Sequence, residues 1–218
     1  MCSSDLPVKS MGGERLNHAR IGSLGIEGDR VVHVEDAQAH VITARTHHQL
    51  LGHRATLNTA GEPLVDGMLW SDPKNRETVV EIVGAGAKLV RDESIDRFDV
   101  LPLLVATDGA ITTFGHDGRR LRPNLVIGGV EGLAEREWPG QCLHIGDVII
   151  GIQDLRGRCI MTTLDPDSLK QDRQVLKEIT QKFGGTLALN CYVIQGGEIR
   201  VGDAVALVSK RGCGTLHG

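Results

Sequence analysis

Cys159 is the residue in this chain best placed to do chemistry. It lies in Arg158-Cys159-Ile160-Met161-Thr162-Thr163-Leu164-Asp165-Pro166, where a cation directly precedes the sulfur. A neighbouring guanidinium favours thiolate over thiol, which makes the residue competent as a metal ligand or nucleophile. The competing reading is a small buried thiol in an apolar strand, since free cysteines are commonly buried. A second motif, Leu121-Arg122-Pro123-Asn124, sets an Arg and an Asn around a Pro ahead of the apolar run Leu125-Val126-Ile127. Proline fixes its own φ and biases the preceding residue toward extended backbone, so two polar side chains are held at a strand entrance. A third group is cationic: Lys9-Ser10, Gly28-Asp29-Arg30 and Thr43-Ala44-Arg45. Guanidinium forks suit phosphate, and a hydroxyl can supplement them; solvated strand ends are the plainer reading of the same residues.

Other chemistries find little support. His47, His48 and His53 lack the i, i+4 pairing of a helical zinc site, and no H-E-x-x-H accompanies them. There is no G-x-G-x-x-G, no G-x-x-x-x-G-K-[ST] and no G-x-S-x-G. The five cysteines (Cys2, Cys142, Cys159, Cys191 and Cys213) are odd in number and never form C-x-x-C, which reads as reduced thiols rather than a disulfide framework.

These residues need elements to position them. Arg30 to Val34 and His40 to Arg45 read as a hairpin that leaves Arg30 and Arg45 at one open end. Thr78 to Val83 and Ala87 to Val90 form a second strand pair. Further strands are expected at Leu101 to Ala106, Leu121 to Ile127, Cys142 to Ile145, Val148 to Ile152, Arg158 to Leu164, Asn190 to Ile194 and Ala204 to Val208. One good helix is expected between Asp172 and Phe183, where Val175, Leu176, Ile179 and Phe183 repeat at helical spacing and Gly184-Gly185 follows. The similar segments His144 to Ile149 and Arg200 to Val205 each carry Gly-Asp, and read as two hairpin-type turns. Short strands punctuated by turns predict a mainly β barrel or curled sheet rather than βαβ units.

Composition bounds the function. The chain has 218 residues, 40% hydrophobic and 24% charged, close to the globular average and enough for one substantial core. Aromatics at 3% and a net charge of -4 argue against nucleic acid as partner. No apolar run approaches the roughly 18 residues of a membrane span, and the N-terminus has no secretory pattern. A cytoplasmic location and no membrane partner are therefore expected.

Taken in this order, the motifs resemble the MOSC family, and in particular its amidoxime-reducing component group. Val8-Lys9-Ser10, Gly28-Asp29-Arg30 and Thr43-Ala44-Arg45 are similar to the N-terminal β-barrel subdomain of these proteins. Arg122-Pro123-Asn124, Arg158-Cys159 with Thr162-Thr163-Leu164-Asp165-Pro166, Asn190, and Arg200-Val201-Gly202-Asp203 are similar to the MOSC core. The resemblance implies a MOSC-type β-barrel over residues 93–211 preceded by a shortened β subdomain over 1–92, the two packing as one compact unit. It also implies a molybdenum cofactor (molybdopterin) with Cys159 as metal ligand and catalytic residue. Lys9, Ser10, Arg30 and Arg45 would hold the phosphate, Arg122 and Asn124 would contact the pterin side, and Thr107, Arg158 and Asn190 would complete the cofactor site. Asp108 is a candidate proton donor. The site residues should therefore converge on one cleft. The implied activity is an oxidoreductase that reduces N-hydroxylated or N-oxide compounds, fed by an external electron-donor reductase because the chain has no flavin, haem or iron–sulfur motif. A cofactor carrier and a persulfide carrier through Cys159 are the alternatives. Two departures from the resembling group stand out: Arg156-Gly157-Arg158-Cys159 replaces Cys-Ser-Arg-Cys, and Thr107-Asp108-Gly109-Ala110 replaces a Ser-rich loop.

Overall fold

The computed structural model describes residues 2–213, with side chains from residue 6 onward. An eight-stranded sheet runs in the order Ala206–Val208, Cys142–Ile145, Val148–Gly157, Thr186–Gln195, Leu103–Thr107, Leu125–Ile127, Cys2–Asp5, Glu14–Leu16. Every neighbouring pair is antiparallel except Leu103–Thr107 with Leu125–Ile127. A parallel pair needs a crossover, here supplied by helix α2 (Asp108–Phe114) and a 3-10 turn at Gly118–Leu121. One βαβ-like unit therefore sits inside a sheet that the strand pattern predicts to be free of them.

The two long strands curl this sheet. Val148–Gly157 and Thr186–Gln195 pair with register shifts at Ile149/Ile150, Ile152/Asp154 and Leu155/Gly157, and each bulge bends the strand and tightens its twist. One core buries Leu103, Val105, Leu125, Leu143, Ile150 and Leu189, together with Ala19, Ile21 and Ile26 from the N-terminal part. A second core gathers Val8, Val32, Val34, Leu50, Val65 and Val79. Helix α3 (Arg173–Phe183) buries Val175, Ile179 and Phe183 against Leu121 and Leu187. Its N-terminus is capped by the Asp172 side chain, which accepts from the Gln174 N–H.

Several expectations are corrected. Among the described residues there are three α-helices rather than one. Thr78 to Val83 is not a strand but the second half of α1 (Pro73–Val83): the Asp72 carboxylate caps it by accepting from Lys74 N–H, and Pro73 stands where its missing N–H costs nothing. The β-branched run dominates the local pattern, while the start signal upstream decides the structure. Arg158 to Leu164 is not a strand either. The sheet ends at Gly157, and Cys159 opens a 3-10 turn over Ile160–Thr163. Only Leu125–Ile127 of the Leu121 to Ile127 segment is extended. Of the two Gly-Asp segments, His144 to Ile149 is a hairpin turn, whereas the second leads away from Gly197–Arg200 to a different strand. The thiols are not all reduced: Cys142 and Cys213 form a disulfide, while Cys159 and Cys191 are free. The Cys2 side chain lies outside the described residues.

Candidate functional site

Cys159 owes its exposure to the way its strand ends. After Gly157, Arg158 N–H donates to Gly185 O, and the Cys159 carbonyl accepts from Thr162 N–H and Thr162 Oγ1 at 3.1 and 2.9 Å. Thr162 and Thr163 are buried, and Thr163 Oγ1 donates to Ile160 O. Asp165 caps the far side of the turn, accepting from Ser168 and from Arg120 Nη2 at 2.9 Å. The threonines, Asp165 and the turn thus fix the backbone while leaving the sulfur in solvent.

The sulfur stands at a cleft lined by Lys9, Ser10, Arg30, Arg45, Arg122, Asn124, Arg158 and Asn190, with Thr43, Asp99, Arg156 and Met161 among the others. Residues from seven separate stretches of chain meet there, and six of the lining side chains are cationic against one carboxylate. Ser10, Arg30 and Arg122 are three of the seven non-glycine residues with positive φ among the described residues (73°, 55° and 52°). Such conformations cost energy, persist only where the surroundings enforce them, and gather at ligand sites. Gly28, at φ 87°, precedes Arg30 because a Cβ there would stand 2.6 Å from Leu57 Cδ1.

Asp29 organises one wall. Fully buried, it accepts from Leu6 N–H, Arg30 Nε and Asn124 Nδ2, while Asn124 Oδ1 accepts from Leu104 N–H at 2.9 Å. Asn124 is therefore a buried strut that aims Arg30 more than a surface contact. The Arg30 guanidinium also lies 4.5 Å from the Phe98 ring centroid, with Arg97 at 4.4 Å. Sequence patterns do not reveal Asp99, which pairs with Lys9 at 2.8 Å and with Arg45. Burial pushes its carboxyl up, but the two cations outweigh that and hold it below the usual range. Burial works against the Arg45 charge too, yet Asp99 and the Cys159 sulfur outweigh it and push this guanidinium up. Arg156, also missed, donates to Asn190 Oδ1 at 3.2 Å; burial first, with Arg30 and Arg45 adding, pushes it down.

Two arginines of the cleft are bound to backbone carbonyls. Arg122 donates to Met11 O at 2.8 Å, and burial, then Arg30, lower it to about 10. Arg158 donates to Leu121 O at 2.8 Å, while its Nε and Nη1 are buried and meet no acceptor among the described residues. Burial, then Arg156, lower it to about 10. Buried donors without partners are rare in native proteins and point to a missing acceptor. An oxyanion-bearing ligand would supply one, and an exposed thiol beside these cations suits a soft metal that takes thiolate donors. The residues present fit a phosphate-bearing metal cofactor.

Thr107 and Asp108 do not join the cleft. Thr107 is fully buried, caps α2 by accepting from Ala110 N–H, and donates to Glu135 Oε2 at 3.2 Å. Asp108 accepts from the backbone N–H groups of Val130, Gly129 and Gly109, which hold its carboxyl below the usual range. A carboxylate stabilised in its charged form and tied to the Gly129–Val130 backbone is a poor proton donor, so the two expected roles are corrected to structural ones. Gly109 belongs to the same clasp: a Cβ there would fall 2.1 Å from Val130 O.

Comparisons with known proteins place the chain's two halves. The model of the MOSC N-terminal beta barrel domain matches residues 5–100, and that of the MOSC domain matches residues 110–206. The chain is 31% identical over 137 residues to mitochondrial amidoxime-reducing component 1 of Homo sapiens, a match covering 54% of this chain and 40% of that protein. The same protein of Xenopus laevis is 27% identical over 150 residues, covering 57% and 42%. The matches thus span less than half the length of these relatives. The YuaD protein from Bacillus subtilis superimposes with a TM-score of 0.51 over 96% of this chain and 97% of that one, at 11% identity, a likeness of fold. Among the described residues no helix is long and apolar enough to cross a membrane.

Proposed function

Since the chain belongs to the MOSC family, whose function is tied to the molybdenum cofactor, we propose that it is a molybdenum-dependent oxidoreductase that removes oxygen from N-hydroxylated or N-oxide compounds. The observation that carries this reading is the exposed Cys159 thiol at a cleft whose Arg158 keeps two buried donors unpaired among the described residues. When bound, the molybdenum centre would supply two-electron removal of oxygen from nitrogen, with electrons returned by a separate donor protein. The chain's own residues do the rest. Cys159 offers a thiolate, while Arg30, Arg122 and Arg158 bind the anionic end of the cofactor. Lys9 and Arg45 are available to it once Asp99 yields. The names of the two vertebrate relatives support the amidoxime-type substrate.

A second reading, a carrier that binds the cofactor and passes it on, is favoured by one observation: the Thr107 to Ala110 segment is occupied with Glu135 and with the backbone N–H groups of Gly129 and Val130, leaving fewer anchors. One experiment separates the two. Purified protein is assayed for molybdenum and pterin, and then for reduction of an amidoxime with an artificial electron donor. Metal with turnover supports the enzyme, and metal without turnover supports the carrier. Absence of both after loading with cofactor rejects the molybdenum reading.

A further inference from the structure

A second concavity of about 500 Å³ adjoins the cleft, within the range of about 300–1,000 Å³ typical of small-molecule sites. Leu6, Leu51, Ile111, Val126 and Leu164 give it an aliphatic lining, and among the described residues no aromatic ring lines it. Its charged groups fall into two sets. Arg119 bonds both Asp117 and Asp167, Arg120 bonds Asp165, Arg122 Nη2 donates to Met11 O, and Glu14 Oε1 accepts from Leu57 N–H. Arg15 stands apart: it is exposed at the groove, and its guanidinium makes no hydrogen bond or ion pair among the described residues. Strand register brings it there. Cys2 pairs with Val126 and Ser4 with Arg15; paired residues, and residues two apart on a strand, share a face, so Arg15 and Val126 stand on one side of the sheet. An apolar body gains by leaving water along such a lining, whereas a charge buried within it would be costly. A ligand that is apolar along its length and anionic at one end satisfies both conditions, because its charge stays in water beside Arg15. The lining offers a ring no aromatic partner to stack on, while its Leu, Ile and Val side chains pack well against an alkyl chain.

We infer that this groove is a binding site for a medium-chain alkyl carboxylate, with the chain along Leu51, Ile111 and Val126 and the carboxylate at Arg15. The site is separate from Cys159 and independent of the reaction proposed there. Most of the affinity comes from the chain, since each methylene that leaves water raises it about fourfold. The exposed pair with Arg15 adds only about two- to fivefold, and it sets the direction in which the chain lies.

The test uses the full chain, with and without loaded molybdopterin, and titration calorimetry with hexanoate, octanoate, decanoate and the uncharged octanol. The three acids should bind with one-to-one stoichiometry, and affinity should climb about fifteenfold for each two methylenes added. Loading with molybdopterin should leave these affinities unchanged. Arg15→Gln should weaken octanoate about two- to fivefold and leave octanol unaffected. Leu51→Trp and Ile111→Trp fill the groove from different elements, and each is checked for thermal midpoint so that one misfolded variant leaves the other informative. A folded variant should bind octanoate at least tenfold more weakly. Parental octanoate affinity in both groove variants would overturn the assignment, as would equal affinity for the three acids. Displacement of octanoate by molybdopterin would overturn it too, because the groove would then belong to the cofactor's site. An Arg15→Gln variant that weakens octanol as much as octanoate, or neither, would overturn the recognition of an anion.

Discussion

Arg158 shows at the scale of one residue how binding capacity is kept at the expense of stability. Two buried donors without acceptors cost about 1–3 kcal/mol each in the ligand-free chain. Arg158→Met removes both while giving up one bond to Leu121 O. The variant should unfold at no lower temperature than the parent and should bind molybdopterin at least tenfold more weakly. A lowered midpoint with undiminished binding would show that the donors are satisfied in another way. Asp99 makes the opposite argument, because its carboxylate occupies Lys9 and Arg45, which a phosphate would otherwise use. Asp99→Asn should tighten phosphate binding by about two- to tenfold at neutral pH, the scale of exposed ion pairs. Because the folded carboxyl is held below its ordinary value, the parent's pairing is fully present above about pH 4 and is lost only as pH falls through the lower folded value. The parent should therefore gain on the variant only in that acid range. Equal phosphate titrations for the two proteins at pH 7 would dismiss the competition. Cys159→Ser should lose molybdenum and turnover without a change in midpoint, since the sulfur is exposed; full metal retention would reject it as ligand. The motif residues Lys9, Arg30, Arg122 and Cys159 were legible in sequence because each stands in a short motif. Asp99 and Arg156 were not, because their roles depend on partners far away in the chain.

At the scale of elements, local signals sufficed where one face alone decided the structure. Val175, Ile179 and Phe183 mark α3 unambiguously because nothing competes with their spacing. Thr78 to Val83 misled because β-branched residues favour strands in isolation, whereas the Asp72 cap and Pro73 act six residues upstream. Arg158 to Leu164 misled for a tertiary reason: the bulged end of Val148–Gly157 and the bond from Arg158 N–H to Gly185 O turn an apolar run into a loop. The disulfide was likewise invisible, since only the pairing of Cys142–Ile145 with Ala206–Val208 brings the chain's end alongside Cys142. It closes a separation of 71 residues, for which chain entropy gives about 4 kcal/mol as an upper estimate. Cys213→Ser should thus lower unfolding free energy by up to about 4 kcal/mol, and reductant should produce a similar loss in the parent but none in the variant. Identical denaturation curves for oxidised and reduced parent would show that the bridge does not constrain the unfolded chain.

At the scale of the whole molecule, the two matched regions are not independent bodies. Cys2–Asp5 completes the large sheet beside Leu125–Ile127, and His18–Gly22 pairs with Gly197–Arg200 from the far end of the chain. Ala19, Ile21 and Ile26 are buried in the same core as Leu143 and Ile150, and Asp29 fixes Asn124 across the two regions. This interweaving lets Lys9 and Arg30 face Cys159 across one cleft, so the site exists only in the assembled chain. A piece spanning 93–211 would expose the core positions now covered by Ile21 and Ile26, each worth about 1.5–3 kcal/mol of burial. It would also leave Leu125–Ile127 and Gly197–Arg200 as open edges. Set against a typical total of about 5–15 kcal/mol, these losses should prevent independent folding. The piece is expected to give a poorly dispersed amide spectrum and no cooperative thermal transition, whereas mixing or coexpression with residues 1–92 should restore both. A dispersed spectrum and sharp transition for 93–211 alone would mean that the interwoven strands decorate a core that is already complete, and that the cationic wall they carry was added to it rather than built with it.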